Sequence, residues 1–298
     1  MQERTFDPPH AIDLRLTLGP LRRGHSDPCM RIDGDGIWRA SLTPEGPATL
    51  HLTAAHGRIT ARAWGPGAPW TLDAAPGLVG AEDSDETFRP RNPMLIELQR
   101  RLRGLRIPRS QAVTEALVPT IIEQKVLGIE AKRSYARLVR RYGVPAPGPG
   151  DLLLPPSPVL LSRTPAFAFH PFGIEQKRAD TIKRACAYAH RLDETVGMDR
   201  DAAYQRLTAL PGIGPWSAAE VAIVALGDAD AVSVGDFHLP NHVCFAFTGE
   251  PRGDDDKMLE LLEPYKGHRG RVVRLICNGH PAPPRFGPRM PLQNIAGL

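Results

Sequence analysis

The sequence predicts an α+β protein, a mostly α-helical core behind a β-rich N-terminal domain. Three observations predict it. Short runs in residues 1–80 alternate apolar and polar residues between Gly, Pro and Asp clusters, the period of half-buried strands. From Asn92 onward apolar residues recur at helical spacing. Between them in character, residues 207–236 (LTALPGIGPWSAAEVAIVALGDADAVSVGD) join two short helices through a Gly- and Pro-rich turn. The expected divisions are a β-rich domain over 1–85, a helical core over 86–280 and a Pro-rich tail over 281–298.

In the N-terminal region the alternation predicts strands at Ala11 to Leu18, Thr49 to Leu52 and Arg58 to Trp64. Asp33-Gly34-Asp35-Gly36 is a turn that joins Met30-Arg31-Ile32 to Ile37-Trp38-Arg39 as a hairpin. Asn92 caps a helix that starts at Pro93 and runs to Leu102. The next helix, Ser110 to about Glu123, faces inward with Val113, Leu117 and Ile121, and Pro119 kinks it or moves its start. Gln124-Lys125-Val126 is a break before a long helix from Ile129 to Tyr142. Residues Gly143 to Pro171 read as an extended loop wrapping the helical region. Helices follow at Ile174 to Leu192, near Leu239 to Phe247, near Asp254 to Glu263 and from about His268 to Asn278.

The central stretch is the most informative. A helix from Asp199 to Ala209 leads into Leu210-Pro211-Gly212-Ile213-Gly214, and Pro215 opens a second helix to about Leu226, so the pair spans 199–226. Gly212 and Gly214 allow φ > 0 or a close approach by another chain. Such a turn aims backbone N–H groups outward at a helix start, a setting that accepts a phosphate. Asp236 follows shortly downstream, as a cap for the next helix or as a working carboxylate.

Composition narrows the class. With 298 residues, 42% of them hydrophobic, the chain can bury a sizeable core. No run of eighteen apolar residues and no basic-apolar leader is present, so a soluble, cytoplasmic protein free of the membrane is expected. Cys29, Cys186, Cys244 and Cys277 lie far apart, which argues against zinc and against an iron–sulfur cluster. The formal net charge of +4 is unevenly spread. Lys and Arg against Asp and Glu number eight to eleven over 1–85, nineteen to ten over 86–195, and ten to twelve beyond. A basic centre between acidic flanks suits a polyanion-binding cleft, and equally a solvated Arg-rich surface.

The LPGIG turn followed by Asp236 resembles the helix-hairpin-helix and Gly/Pro…Asp signature of the DNA base-excision glycosylases, most nearly the bacterial 3-methyladenine DNA glycosylase II type. The signature covers about thirty residues, with weaker similarity from about Gly77 to Ile276. The resemblance implies a monofunctional enzyme, a nucleoid-associated monomer, that flips alkylated purines out of duplex DNA and hydrolyses their glycosidic bond. Asp236 is then the catalytic carboxylate, and Gly212, Ile213 and Gly214 grip a DNA phosphate. Trp216 stands where bifunctional relatives carry a Schiff-base lysine; here an indole stacks on the flipped base or packs the hairpin. Glu220 and Cys277 occupy positions that are aromatic in the 3-methyladenine enzyme, giving a more acidic pocket unless Glu220 faces solvent. Gln124 matches the turn that relatives insert into the DNA stack, with Lys125 in place of an alkyl wedge, or both are surface-loop residues. The family's monovalent cation, Na⁺ or K⁺, falls on the backbone carbonyls of Thr208, Leu210 and Ile213; no other cofactor is required. Two further readings stay open: a glycosylase for another lesion or bulky adduct, and a non-catalytic helix-hairpin-helix DNA-binding protein.

Overall fold

The computed structural model describes residues 1–284, and these form an antiparallel five-stranded sheet and thirteen α-helices, most of which follow the sheet in the chain. The strands are β1 (Gln2–Phe6), β2 (Met30–Asp33), β3 (Gly36–Thr43), β4 (Gly46–Ala55) and β5 (Arg58–Trp64), in the order β1-β5-β4-β3-β2. The β2–β3 hairpin pairs Asp33 with Gly36 across a two-residue turn, as the turn residues predict. Gly36 is required there: its φ is +130°, and a Cβ would lie 2.3 Å from the Leu52 carbonyl.

The N-terminal region departs from expectation twice. Ala11 to Leu18 is not a strand; α1 occupies Leu14–Leu18, capped by the Asp13 carboxylate, which accepts the N–H groups of Arg15 and Leu16. In eight residues AIDLRLTL satisfies both periods, and the cap decides for the helix that buries Leu14, Thr17 and Leu18. The second departure is α2 (Ala68–Leu78), which buries Ala68, Leu72, Ala75 and Leu78 against Leu50, Leu52, Ile59 and Ala61 of β4 and β5. The opposite face is covered by the Pro-dense segment, whose Leu152 and Leu154 pack on Ala40. Gly148 and Gly150 lie on the rings of Trp64 and Trp38, where a Cβ would come within 2.4 Å and 3.0 Å. That segment therefore covers the sheet as well as the helices, its Leu153 packing on the helical core. Gly143 to Pro171 is not loop throughout: Ser157 caps a short helix, and a 3₁₀ turn spans Ala166–Phe172.

The remaining helices are α3 (Pro93–Arg101), α4 (Val113–Glu123), α5 (Gly128–Tyr142), α6 (Pro158–Arg163), α7 (Gln176–Ala187), α8 (Ala189–Asp193), α9 (Arg200–Thr208), α10 (Pro215–Val221), α11 (Leu239–Thr248), α12 (Asp255–Leu262) and α13 (Arg269–Gly279). The central core forms around α4, whose Val113, Leu117, Ile121 and Ile122 are fully buried. Pro119 neither ends nor delays this helix, because buried neighbours hold it although one backbone bond is lost. The expected helix from Ile174 to Leu192 breaks at Tyr188 into α7 and α8. A further core joins α3 to α11, α12 and α13 through Leu95, Val243, Met258 and Val272. The Pro-rich tail lies, from residue 285, outside the described residues. No helix among the described residues is long and apolar enough to cross a membrane.

Asp83, in the connection after α2, locks this last core to the rest. Its carboxylate takes both terminal nitrogens of Arg271 at 2.8 and 2.6 Å and the N–H of Ile107 at 3.0 Å. The two side chains are 5% and 4% exposed. Asp83→Asn leaves the guanidinium buried without its counter-charge, and should lower unfolding stability by about 3–5 kcal/mol in urea titration. A loss below about 1 kcal/mol would mean that water reaches the pair.

Candidate active site

The site is built on the turn between α9 and α10. Asp199 starts α9 by accepting the Ala202 N–H, and the helix ends at Thr208. Pro215 occupies the first turn of α10, which continues as a π turn over Ala222–Leu226 before Gly227 reverses the chain with φ +74°. The two turn glycines differ in kind. Gly212 has φ +97° and sits against Thr181 of α7, whose Oγ1 would lie 2.5 Å from an added Cβ. Gly214 has φ −100° and ψ −176°, ordinary extended backbone, and nothing lies within 4 Å of a Cβ there. Ile213 between them is buried, while Pro211, Gly212, Gly214 and Pro215 are exposed.

The turn after α4 is docked onto this hairpin. Gln124 Nε2 donates to the Gly212 carbonyl and to Ser217 Oγ, both at 2.9 Å. Lys125 is exposed with φ +56°, a left-handed backbone that costs on the order of 1 kcal/mol for a lysine. Gln124 is thus held by the protein, and the tip of the turn presents Lys125. Arg184 of α7 donates to the Pro211 carbonyl at 2.7 Å. Of the hairpin carbonyls singled out for a cation, that of Leu210 accepts the Ile213 N–H, and that of Thr208 lies at the negative end of α9.

Asp236 takes the first of its two expected roles, a helix cap, and its second oxygen faces Trp216. One oxygen, Oδ1, accepts the N–H groups of His238 and Leu239 at 2.7 Å each, starting α11. The other, Oδ2, receives the Trp216 indole N–H at 3.3 Å. Glu220 lies one helical turn beyond Trp216 on α10, and its Oε1 accepts from Ser233 on the loop that carries Asp236. Enclosure raises the Glu220 carboxyl above its ordinary value, and the nearby charges of Glu123 and Asp236 push the same way, against Ser233 and Arg23. Cys277 reaches the same place from α13, with its sulfur 4.0 Å from His242 Nδ1. The residue has an exposed edge, yet crowding pushes its thiol up to about 11, with Asp236 and Glu220 adding to the effect. Arg274, one turn earlier, is buried, and its guanidinium is held down to about 10 by desolvation.

Trp216, Glu220, Asp236 and Cys277, drawn from three separate segments, therefore lie near one another beside the hairpin. Sequence reasoning missed Ser233, Arg23 and Arg274, which carry no motif. It also missed Phe237, which follows Asp236 and is 80% exposed, a large apolar ring left open beside the carboxylate. A separate internal cavity between the sheet and the helical core is lined by Cys29, Arg39, Glu115 and Tyr135 and lies apart from Asp236.

Comparison with known structures identifies the architecture. A 3-methyladenine DNA glycosylase from Archaeoglobus fulgidus superposes with a TM-score of 0.79 at 18% identity, covering 92% of this chain and 97% of that one. The fold is that of the helix-hairpin-helix DNA glycosylases. An 8-oxoguanine glycosylase/lyase from Clostridium acetobutylicum gives 0.72 at 12% identity, over 93% of this chain and 96% of that one. By sequence, a Mycobacterium tuberculosis protein described as a probable bifunctional transcriptional activator/DNA repair enzyme AlkA is 31% identical over 140 residues. That match takes in 46% of this chain, which spans only 28% of the relative's length. No family model matches the chain.

In this glycosylase fold the two hairpin glycines should separate by experiment. Val is at home in extended backbone, and the space at Gly214 is open, so Gly214→Val should keep the wild-type melting temperature. If the hairpin grips a DNA phosphate, as the resemblance implies, the same change should weaken binding to abasic-site DNA roughly tenfold, about 1.4 kcal/mol, for all sequences alike. Gly212→Ala instead meets Thr181 with φ > 0 and should lose about 1–3 kcal/mol of stability. Calorimetry and fluorescence anisotropy across a salt series read the two effects; a Gly214→Val protein that binds normally removes the hairpin from the DNA interface.

Proposed function

We propose that the protein is a monofunctional DNA glycosylase that flips alkylated purines out of duplex DNA and hydrolyses their N-glycosidic bond. The observation that carries this reading is the Trp216–Asp236 contact at the mouth of the hairpin. Breaking the bond between base and sugar builds positive charge on the anomeric carbon, and a fixed carboxylate stabilises that charge. Asp236 is fixed by three N–H donors, so its orientation needs no reorganisation when the charge appears. It also orients a water for attack on the sugar, accepting the proton that the water gives up. Trp216 and the open ring of Phe237 offer aromatic surface to an extruded base.

The hairpin would bind a phosphate beside the lesion through Gly212, Ile213 and Gly214, with Lys125 filling or flanking the gap in the stack. The carbonyls of Thr208, Leu210 and Ile213 are the holders of a sodium or potassium ion in the same reading. Hydrolysis itself takes water as nucleophile and needs no cofactor. The described relatives, a DNA repair enzyme and a 3-methyladenine glycosylase, support a repair role on DNA, which belongs with the nucleoid. A glycosylase for a different lesion is the second reading, favoured by Glu220 and Cys277 in the cleft where flat aromatic surface would grip a methylated purine. A binding module without chemistry would use Asp236 as the cap of α11 alone, and would need nothing of the second oxygen facing Trp216.

Incubation with methylated genomic DNA, followed by mass spectrometry of released bases, tests the reading; release of no base would falsify it. Asp236→Asn should keep DNA affinity and slow release on the order of 10²–10³-fold. Turnover within a factor of about three of wild type would remove Asp236 from catalysis.

The strand should be left intact at the abasic site. One structural relative is a glycosylase/lyase, but β-elimination needs an amine, and Trp216 stands at the position in question. Lys257 is paired with Glu260 at 2.9 Å, which raises its ammonium pKa rather than freeing an amine. Lys266 sits 4.0 Å from Glu263 at the surface. Borohydride should trap no covalent adduct at the rate of base release; efficient trapping would reveal an amine nucleophile.

A further inference from the structure

We propose that Glu220 is a second catalytic group, a carboxylic acid that protonates the departing base while Asp236 acts on the sugar. This inference rests on the glycosylase reading and concerns what the same cleft does with a poor leaving group. Three features carry it. Glu220 lies four residues after Trp216 on α10, so both project from one helix face toward the loop of Asp236. Ser233, three residues before Asp236, holds one carboxyl oxygen of Glu220 and so fixes which way the group points. Among the described residues Glu220 makes no ion pair, although Arg23 and Arg274 stand close enough to feel it.

Enclosure and the neighbouring carboxylates outweigh Ser233 and Arg23 and favour the neutral acid. Glu123 at the end of α4 is paired with Arg23 at 3.4 Å, so much of that positive charge is already answered. Arg274 on α13 turns its guanidinium away, donating to the Leu16 carbonyl at 3.0 Å. Asp236 on the facing loop adds a negative charge that disfavours a second one, and Cys277 adds no positive one. Two carboxyl groups in one cleft then take different roles. Asp236, held by three N–H donors, works ionised, and Glu220 works protonated.

The step balances as acid-assisted hydrolysis. The bond between the sugar and the base nitrogen breaks with its electron pair leaving on the base. Glu220 gives its proton to a ring nitrogen of that base, which departs neutral. Water bonds to the anomeric carbon, Asp236 accepts its proton, and solvent restores both groups. A base methylated on a ring nitrogen already carries the positive charge and gains little from the acid. A neutral purine such as hypoxanthine needs it. An acid at Glu220 therefore widens the range of leaving groups.

The test compares release of 7-methylguanine and of hypoxanthine from duplex DNA by single-turnover kinetics, for wild type, Glu220→Gln and Glu220→Asp. Wild type should release both. Glu220→Gln preserves shape and the Ser233 contact but has no proton to give, and should slow hypoxanthine release about 10²-fold, within the usual range for an acid catalyst. It should slow 7-methylguanine release only a few-fold. Wild-type hypoxanthine release should fall as pH rises through the raised Glu220 value, a limb that Glu220→Gln lacks and Glu220→Asp keeps. Equal loss on both bases, an unchanged alkaline limb, or a wild type active on 7-methylguanine alone overturns the proposal while leaving the glycosylase reading intact. Release of neither base by wild type overturns both.

Discussion

Everything at the site depends on how the α9–α10 turn is immobilised. Gly212 sits so near Thr181 that a methyl group would not fit, its carbonyl is taken by Gln124, and the carbonyl before it by Arg184. These contacts come from α7 and from the turn after α4, so the hairpin is braced from two sides by the central core. Both carbonyls lie at the surface, so the braces act mainly by fixing where the turn sits. With the turn fixed, Trp216 starts α10 in a set position and reaches Asp236. The same amide of Gln124 also holds Ser217, which ties the turn after α4 to the start of α10.

Charge in the middle of the chain works differently from what its tally implies. On α7, Arg178 is buried and donates to the Ile122 and Gly173 carbonyls, Lys183 to Thr164 and Arg184 to Pro211. These cations hold the scaffold together, closing the end of α4 and the hairpin. The exposed excess lies instead on α5, where Lys132, Arg133, Arg137 and Arg141 reach the surface. The cations of α5 are therefore open to solvent, whereas the buried Arg178 is engaged by the Ile122 and Gly173 carbonyls and by Glu175 at 3.5 Å.

The parts legible in the sequence are those where one residue type has one mechanical use. Asn92 and Asp199 cap their helices, Pro215 opens α10, and Asp33 to Gly36 turns the hairpin, each through its own backbone chemistry. Three of the four residues beside the hairpin are nameable because a helix fixes the spacing of Trp216 and Glu220, and the signature that the chain resembles fixes that of Asp236; Cys277 follows only from a looser match of the last helix. What stays hidden depends on tertiary partners. AIDLRLTL is resolved by a cap, Pro119 is tolerated by packing, and Gly148 is fixed by the ring of Trp64. Ser233 and Arg274 gain meaning only when the loop and α13 close over α10, a juxtaposition of segments far apart in the chain.

Asp236 answers a question that the motif alone leaves open, whether a carboxylate can cap a helix and still be available for chemistry. Its two oxygens divide the work. Oδ1 is spent on the N–H groups of α11, which lock the side-chain torsion and place the positive end of that helix behind the charge. Among the described residues Oδ2 is held only by the indole N–H, at a longer 3.3 Å, and remains the better acceptor for a water or a developing cation. The cap therefore suits the proposed catalysis: a freely rotating aspartate would have to be ordered in the transition state, at an entropic cost that α11 has already met in folding. Glu220 lies within reach of this arrangement without disturbing it, because its own anchor is Ser233 and not the helix start.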